Sequence, residues 1–412
     1  MLPFVNLNLN LDTLVSIGVG RRRRKRDKML VTHLVLKNWR NFRHVDVALR
    51  ENTFVLGPNA SGKSNFLDVF RFLRDLSKPE GGSLQKAIKD RGGITKLRCL
   101  HARKETDVRI EVSLSEDADA TVSDWKYILA FKPTPKSHVP SIVCEQVWKG
   151  NKRILNRPDR TDNEDKEQLT ETYLENVRSN RDFRDIAEFF NRTTYLHLVP
   201  QLLKFGDKIS GHILLDDPFG QGFLDRIAQS PVRVQSARLR WIEKALTVAI
   251  PHFKKLGFEQ DEVGRPHLKA LYEHHRPNAG WQREEQFSDG TLRFIGLLWS
   301  LLEGDSLLLL EEPELSLNQS IVEQIPLIIR NLLADRKRRQ RQIILSTHSE
   351  ALLSNRGIDA RGVLLFESTN DGTHVRSINE SEKMAIQDGL SIAEVVLPKT
   401  NPRNIGKLLE NI

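Results

Sequence analysis

The sequence predicts an α/β fold, in which a mixed or parallel core sheet is flanked by helices, joined to a largely helical insertion lobe. Three observations lead to this prediction. A β-prone segment runs through a glycine-rich turn into an amphipathic segment, four leucines precede a pair of carboxylates, and a later apolar run ends in polar residues. Ligands bind beyond the carboxyl ends of the strands in such sheets, so these three places define a candidate site.

The glycine-rich turn follows the β-prone segment 52–56 and precedes apolar residues at positions 66, 69, 70, 73 and 76, which share one helical face. The turn matches the pattern GxxxxGK[ST] and consists of Gly57, Pro58, Asn59, Ala60, Ser61, Gly62, Lys63 and Ser64. Strand, glycine loop and helix together point backbone N–H groups at a phosphate chain. We expect Lys63 to reach the β- and γ-phosphates and the Ser64 hydroxyl to bind Mg²⁺. A glycine-rich turn that binds nothing is the alternative; the context favours ATP with Mg²⁺.

The four leucines at 307–310 are typical of a strand that is buried on both faces, although a helix segment can look the same. Glu311, Glu312 and Pro313 follow and favour the strand. We expect Glu311 to hold Mg²⁺ through water and Glu312 to polarise the water that attacks the γ-phosphate. The alternative is a solvated acidic turn after a core strand.

His348 follows another apolar run, 342–347, and a helical segment, 321–333, separates this run from the leucines. Consecutive parallel strands bring their carboxyl ends to one edge of a sheet. His348 is therefore a candidate for contacting the γ-phosphate, and a partly buried structural histidine is the alternative. Pro326 predicts either a kink in the helical segment or a helix that starts there.

Composition and charge limit the function classes. The net charge is +9, but residues 1–28 contain seven Lys or Arg and two Asp, so they contribute five of these charges. We expect residues 1–28 to be a disordered tail or an over-extended start. The basic run 336–339 with Arg341 is more typical of a solvated helix end than of a DNA site. DNA binding therefore stays open.

The chain has two cysteines and no apolar run long enough to span a bilayer. Two cysteines provide no disulfide framework and fit a reducing compartment. We therefore expect a cytoplasmic protein without a membrane segment.

The order of the motifs resembles that of ABC-type ATPases of the SMC and RecF class, and most closely that of AAA-family relatives of the overcoming-lysogenization-defect proteins. The motifs are Walker A (57–64), a signature-like FSDGT (287–291), Walker B (307–314), a D-loop LSLN (315–318) and a switch histidine in STHS (346–349). The segment 36–43 also looks like the first-strand segment that precedes the P-loop in these proteins. An ordinary helix N-cap at Ser288 is the alternative for the signature.

This resemblance implies a P-loop ATPase with an ABC-type head that works as a homodimer or larger homo-oligomer. Ser288, Asp289 and Gly290 of one subunit would cap the γ-phosphate bound by the other, and Ser316 of the D-loop would lie across the interface. Two features depart from the family pattern. Glu311 stands where the class usually has Asp, and the chain lacks the sustained heptads of long coiled-coil arms.

We expect two ATPase lobes, 29–150 and 285–412, around a mostly helical insertion at 151–284. A Toprim nuclease, which relatives often carry, is not expected, because the 64 residues that follow His348 contain no Asp-x-Asp pair. The favoured function is an ATP-hydrolysing dimer that gates or scaffolds a separately encoded effector protein, in anti-phage defence. A DNA-binding clamp in repair or replication is the alternative. A transporter ATPase is a third hypothesis, which the insertion and the Glu-Glu-Pro-Glu string disfavour.

Overall fold

A computed structural model describes residues 28–102, 105–134, 139–206, 217–273, 280–334 and 341–400. Residues 1–27 of the expected tail and the basic run 336–339 lie outside the described residues. In the described ranges, no helix is both long and apolar enough to cross a membrane.

The strands, in chain order, are β1 Leu30–Trp39, β2 Phe42–Ala48, β3 Asn52–Leu56, β4 Val108–Ser115, β5 Trp125–Pro133, β6 Pro140–Lys149, β7 Lys152–Arg157, β8 Thr194–Leu196, β9 Phe253–Gln260, β10 Pro266–Tyr272, β11 Gln282–Arg283, β12 Leu308–Glu311, β13 Ile343–Thr347, β14 Val363–Thr369 and β15 Gly372–Ser377. The α-helices are α1 Lys63–Leu76, α2 Leu84–Asp90, α3 Ile94–Leu97, α4 Arg160–Glu164, α5 Arg184–Asn191, α6 Pro200–Phe205, α7 Phe223–Gln229, α8 Val232–Ala249, α9 Asp289–Leu302, α10 Gln319–Val322, α11 Ile325–Ala334, α12 Glu350–Leu353, α13 Glu380–Gln387 and α14 Ile392–Thr400.

The chain divides into two compact units. The described residues between Leu198 and Glu303 belong to one, which we call the insertion unit. The core unit combines the described residues of the ranges 28–197, 304–334 and 341–400. The core unit therefore contains both the P-loop and the acidic pair, although these are distant in sequence.

A six-stranded, mostly parallel sheet in the core unit confirms the predicted α/β fold. Its order is β15-β14-β3-β13-β12-β8, and only β15 runs antiparallel to its neighbour. The four leucines at 307–310 are buried, as expected for a strand covered on both faces. β13 lies between β3 and β12, so the P-loop, the acidic pair and His348 all follow strands that end at the same edge.

The described part of the segment between β12 and β13 forms two helices, α10 and α11. The second begins at Ile325, so Pro326 lies in its first turn. A proline there costs no hydrogen bond, because the first N–H groups of a helix have no partner within the helix. Of the two alternatives for Pro326, the structure has the helix start, one residue before the proline.

Helix α1 packs against both sheets of the core unit. The second sheet is antiparallel, with the order β2-β1-β4-β5-β6-β7. The Phe66 ring centroid lies 5.4 Å from that of Phe366 in the parallel sheet and 6.5 Å from that of Phe42 in the antiparallel sheet. The five apolar positions predicted to face the core are all buried, and so are Leu67 and Phe72. The buried surface of α1 is thus wider than one face, because two sheets cover the helix.

The insertion differs from the predicted segment 151–284. Residues 152–157 form β7, which pairs with β6 of the core unit through a turn at Gly150, where φ is 54°. Residues 194–196 form β8 at the edge of the parallel sheet. The insertion unit also contains an antiparallel sheet, β11-β10-β9, and helix α9 of the signature, so it is a mixed unit and extends beyond residue 284. The Gly-Asn turn is a hairpin signal in the sequence, whereas β8 is too short to be predicted locally.

A buried ionic cluster fastens the segment that follows β7 to the antiparallel sheet. Arg157 donates to Glu145 at 2.8 Å and to Asp162 at 2.7 Å, and all three side chains are fully buried. The Tyr127 hydroxyl and the Tyr173 backbone N–H also donate to Glu145. Burial of these charges is stable only because each has several partners.

Replacing Arg157 with methionine should leave two buried carboxylates without their cation. We expect a loss of about 3–5 kcal/mol in the free energy of unfolding, seen as a lower melting temperature in calorimetry. Arg160→Met is the matched control: it breaks the Arg160–Glu164 pair, which is mostly exposed, and should leave the melting temperature almost unchanged. Equal melting temperatures for the two variants would contradict this account.

Candidate functional site

The P-loop connects β3 to α1 and depends on glycine at two positions. A Cβ atom on Gly57 would lie 2.6 Å from the Ser61 Oγ atom, and Gly62 has a φ of 94°. Ala60 also lies in the left-handed region, at φ 63°. Glycine adopts such conformations without steric cost. The loop therefore turns tightly around the N-terminus of α1.

The segment 36–43, which resembles the first-strand segment of the family, supports this loop. The Asn41 amide donates to the Ser61 carbonyl at 2.9 Å and accepts from the Asn65 side chain at 2.7 Å. The Thr373 hydroxyl, from β15, also donates to the Ser61 carbonyl at 2.8 Å. Both sheets thus hold the P-loop in place.

Lys63 lies inside the loop and is almost completely buried. Its ammonium donates to the Gly57 carbonyl at 2.8 Å and to the Pro58 carbonyl at 3.2 Å. Burial lowers the pKa of Lys63, and the carboxylates of Glu312 and Glu311 oppose this shift. An anion in the loop would meet a cation that has already lost much of its hydration.

Ser64 and Glu311 are brought together, as the sequence predicts. The Ser64 hydroxyl, in the first turn of α1, donates to the Glu311 Oε1 atom at the end of β12. The Tyr195 hydroxyl, from β8, donates to the Glu311 Oε2 atom. Burial, and after it the Glu311 carboxylate, raise the pKa of Tyr195 above its usual value. Tyr195 therefore keeps its proton and acts as the donor.

Glu312 and His348 also meet. The His348 Nδ1 atom lies 3.2 Å from the Glu312 Oε1 atom, and both side chains are partly exposed. Glu312 has a φ of 44°, which is costly for a residue with a Cβ atom, and its N–H donates to the Ser346 carbonyl at 3.0 Å. This backbone conformation directs the Glu312 carboxylate toward His348, which follows β13.

Sequence reasoning missed Glu314, a third carboxylate beside this pair. Its Oε1 atom accepts hydrogen bonds from the Thr347 hydroxyl and from the His348 N–H. Burial raises the pKa of Glu314. Glu314 thus ties the turn after β12 to the end of β13, a role that only the strand order reveals.

The signature residues lie in the insertion unit, and Ser316 lies in the core unit. Ser288 is the N-cap of α9, and its Oγ atom accepts from the Thr291 N–H at 3.1 Å. The Lys204 ammonium, from α6, donates to the Asp289 carboxylate at 2.7 Å. The N-cap alternative for Ser288 is therefore present in the structure. Ser316 has a φ of 62°, within the turn after β12.

The Ser64–Glu311 pair fits a magnesium ion. In the described part of the chain, no group of three or more His, Cys, Asp and Glu side chains is arranged to hold a metal. Mg²⁺ is usually bound by one or two protein oxygens, with substrate phosphates and water completing the shell. A hydroxyl and a carboxylate oxygen in contact beside a P-loop provide that donor set.

Solved structures of SMC heads share this fold. One is the SMC head bound to the C-terminal winged-helix domain of ScpA, with a TM-score of 0.50 and 14% identity over 86% of this chain and 99% of that one. Another is the SMC head with an extended coiled coil bound to the C-terminal domain of ScpA derived from Pyrococcus furiosus, with a TM-score of 0.50 and 14% identity over 87% of this chain and 99% of that one. The expected mixed α/β fold of an ABC-type head is confirmed.

Curated relatives match over a shorter stretch. The DNA replication and repair protein RecF of Roseiflexus castenholzii is 32% identical over 99 residues, which are 22% of this chain and 25% of that protein. RecF of Clavibacter michiganensis is 31% identical over 91 residues, 22% of each chain. This chain thus spans about a quarter of the length of the curated relatives that it matches.

A family match covers far more of the chain. The family described as "AAA domain, putative AbiEii toxin, Type IV TA system" matches residues 53–354, which include the P-loop, the acidic pair and His348. Because this match extends over well more than half of the chain, the protein belongs to that AAA family and carries an SMC-head-like fold.

Proposed function

We propose that this protein binds and hydrolyses ATP with Mg²⁺ at the P-loop of the core unit. The observation that carries the proposal is the convergence of four predicted residues at one sheet edge. Ser64 contacts Glu311, and Glu312 contacts His348, although the members of the first pair are 247 residues apart in sequence. Membership of an AAA family supports nucleotide chemistry at this edge.

Each side chain has a role that its position allows. Residues 57–64 would hold the phosphates through backbone N–H groups and the Lys63 ammonium. Ser64 and Glu311 would hold Mg²⁺, which when bound neutralises charge on the phosphate oxygens. Glu312 would accept a proton from the attacking water, and His348 would orient Glu312 and contact the γ-phosphate.

The signature segment suggests that two copies complete one site. The N-terminus of α9, a helix of 14 residues, contains Asp289 and Gly290 and is capped by Ser288, and helix N-termini attract anions. We infer that this segment caps the γ-phosphate held by a second copy, with Ser316 at the same interface. ATP would then join a homodimer or a higher homo-oligomer, and hydrolysis would release it.

The cellular role that we favour is gating or scaffolding of a separately encoded effector in the cytoplasm, in anti-phage defence. The family description, which names a putative toxin of a type IV TA system, supports a role alongside a second protein. A DNA-binding clamp is the second candidate, and the RecF match, which covers 22% of the chain, favours it. A DNA affinity that falls steeply as salt rises would support the clamp. Co-purification with the product of a neighbouring gene would support the effector role.

Glu312→Gln should slow ATP hydrolysis by about 100-fold or more, because general-base catalysis typically contributes that much. ATP binding should persist, since the P-loop is unchanged, and an ATP-bound dimer should accumulate. Steady-state assays measure the rate of ATP hydrolysis, and light scattering after gel filtration measures the ATP-bound dimer.

Two other variants serve as references for this result, one without ATP binding and one with wild-type behaviour. Lys63→Ala should lose ATP affinity, whereas Glu380→Gln, at an exposed carboxylate on α13, should behave as the wild type in both assays. Hydrolysis at the wild-type rate in Glu312→Gln would show that Glu312 is not the base.

Ser288→Arg should prevent the dimer from forming while each subunit still binds ATP. The added side chain would occupy the place proposed for the partner's γ-phosphate. Sedimentation velocity with ATP, in the Glu312→Gln background, gives the oligomeric state, and Ser381→Arg, at an exposed position of α13, is the matched control. A stable ATP dimer that carries Ser288→Arg would rule out capping by this segment.

A further inference from the structure

Tyr195 contacts the proposed metal site, but the proposed function assigns no role to it. The residue lies on β8, which pairs in parallel with β12, and its register partner is Leu309. Alternate residues of a strand point to the same face, so Leu309 and Glu311 share a face of the sheet. Tyr195 therefore lies beside the strand that carries Glu311, on the side away from β13.

Both oxygens of the Glu311 carboxylate have a donor. The Ser64 hydroxyl donates to Oε1, and the Tyr195 hydroxyl donates to Oε2. A glutamate has one more rotatable bond than an aspartate, so its carboxylate samples more positions unless it is held. With Oε2 bound to Tyr195, Oε1 is the oxygen that faces the start of α1.

The Tyr195 ring is itself fixed by α1. The Arg71 guanidinium lies 4.2 Å from the centroid of the ring, and the carboxylate of Asp68, three residues earlier on α1, lies 3.8 Å from the same guanidinium. Ser64 and Arg71 are seven residues apart, about two helical turns, so one helix contacts both the carboxylate and the tyrosine that holds it. Tyr195 is almost completely buried.

We propose that Tyr195 is a positioning residue, which holds the long Glu311 side chain so that its Oε1 atom and the Ser64 hydroxyl together bind the magnesium of a nucleotide. This inference rests on the proposed function, because it assumes that Ser64 and Glu311 form the metal site. It explains how a glutamate serves where the resembling class usually has an aspartate: the tyrosine hydroxyl fixes the longer arm.

The test measures metal-dependent binding of ADP, which is not consumed, to the full chain by calorimetry. For each variant, the ADP dissociation constant in EDTA is divided by the constant in Mg²⁺. Tyr195→Phe keeps the ring beneath Arg71 and removes one hydrogen bond to a charged group. We expect this ratio to fall about tenfold, with binding in EDTA unchanged. Tyr173→Phe, which also places a ring beneath an arginine, is the matched control and should keep the wild-type ratio.

A double-mutant cycle separates positioning from packing. Glu311→Asp should withdraw the carboxylate from Tyr195, so Tyr195→Phe should cost almost nothing further in that background. The inference would be overturned if the losses in this ratio from Tyr195→Phe and from Glu311→Asp were fully additive. It would also be overturned if Tyr195→Phe kept the wild-type ratio of the ADP dissociation constants.

Ser64→Ala tests the assumption beneath the inference. If Ser64→Ala removes the magnesium effect while Tyr195→Phe does not, the metal site stands and the role of Tyr195 is refuted. If Ser64→Ala keeps the magnesium effect, the proposed metal site itself fails.

Discussion

The hydrogen bond between Ser64 and Glu311 is the contact on which the site depends. It joins the first turn of α1 to the end of β12, across 247 residues of sequence. The contact needs the strand order of the parallel sheet, because β13 separates β3 from β12 and sets the distance between their ends. It also needs α1 to be held from both sides, which the aromatic contacts of Phe66 with the two sheets provide.

Several residues around this contact have backbone conformations or buried charges that would destabilise the fold on their own. Glu312 adopts a left-handed conformation, Lys63 is buried against backbone carbonyls, and Glu314 is buried with a raised pKa. Strained backbone and buried charge persist where the surrounding structure fixes them, and such features cluster at functional sites. Their common position at one sheet edge is a physical argument for ligand binding that is independent of the motif pattern.

The sequence predicted the parts of this site that local patterns encode. The P-loop, the buried leucines before Glu311 and the apolar face of α1 each have a period or spacing that a single segment reveals. Tyr195 and Glu314 could not be predicted in this way, because their roles arise from strand order: β8 is three residues long and joins the sheet only beside β12. The compact insertion unit begins at Leu198 and not at residue 151, because β7 and β8 join sheets of the core unit. The segment that contains Ser288 was recognised as a motif, but its place in the insertion unit was not.

A structure of the protein with Mg²⁺ and a non-hydrolysable ATP analogue tests whether Ser64 and Glu311 hold the metal of a bound nucleotide. We expect the phosphates within the loop 57–64 and the metal about 2.1 Å from the Ser64 Oγ atom, the usual distance for magnesium. We also expect the Glu311 carboxylate to face that metal, directly or through water. A nucleotide bound elsewhere, or a metal held without Ser64 and Glu311, would show that this sheet edge is not the ATP site.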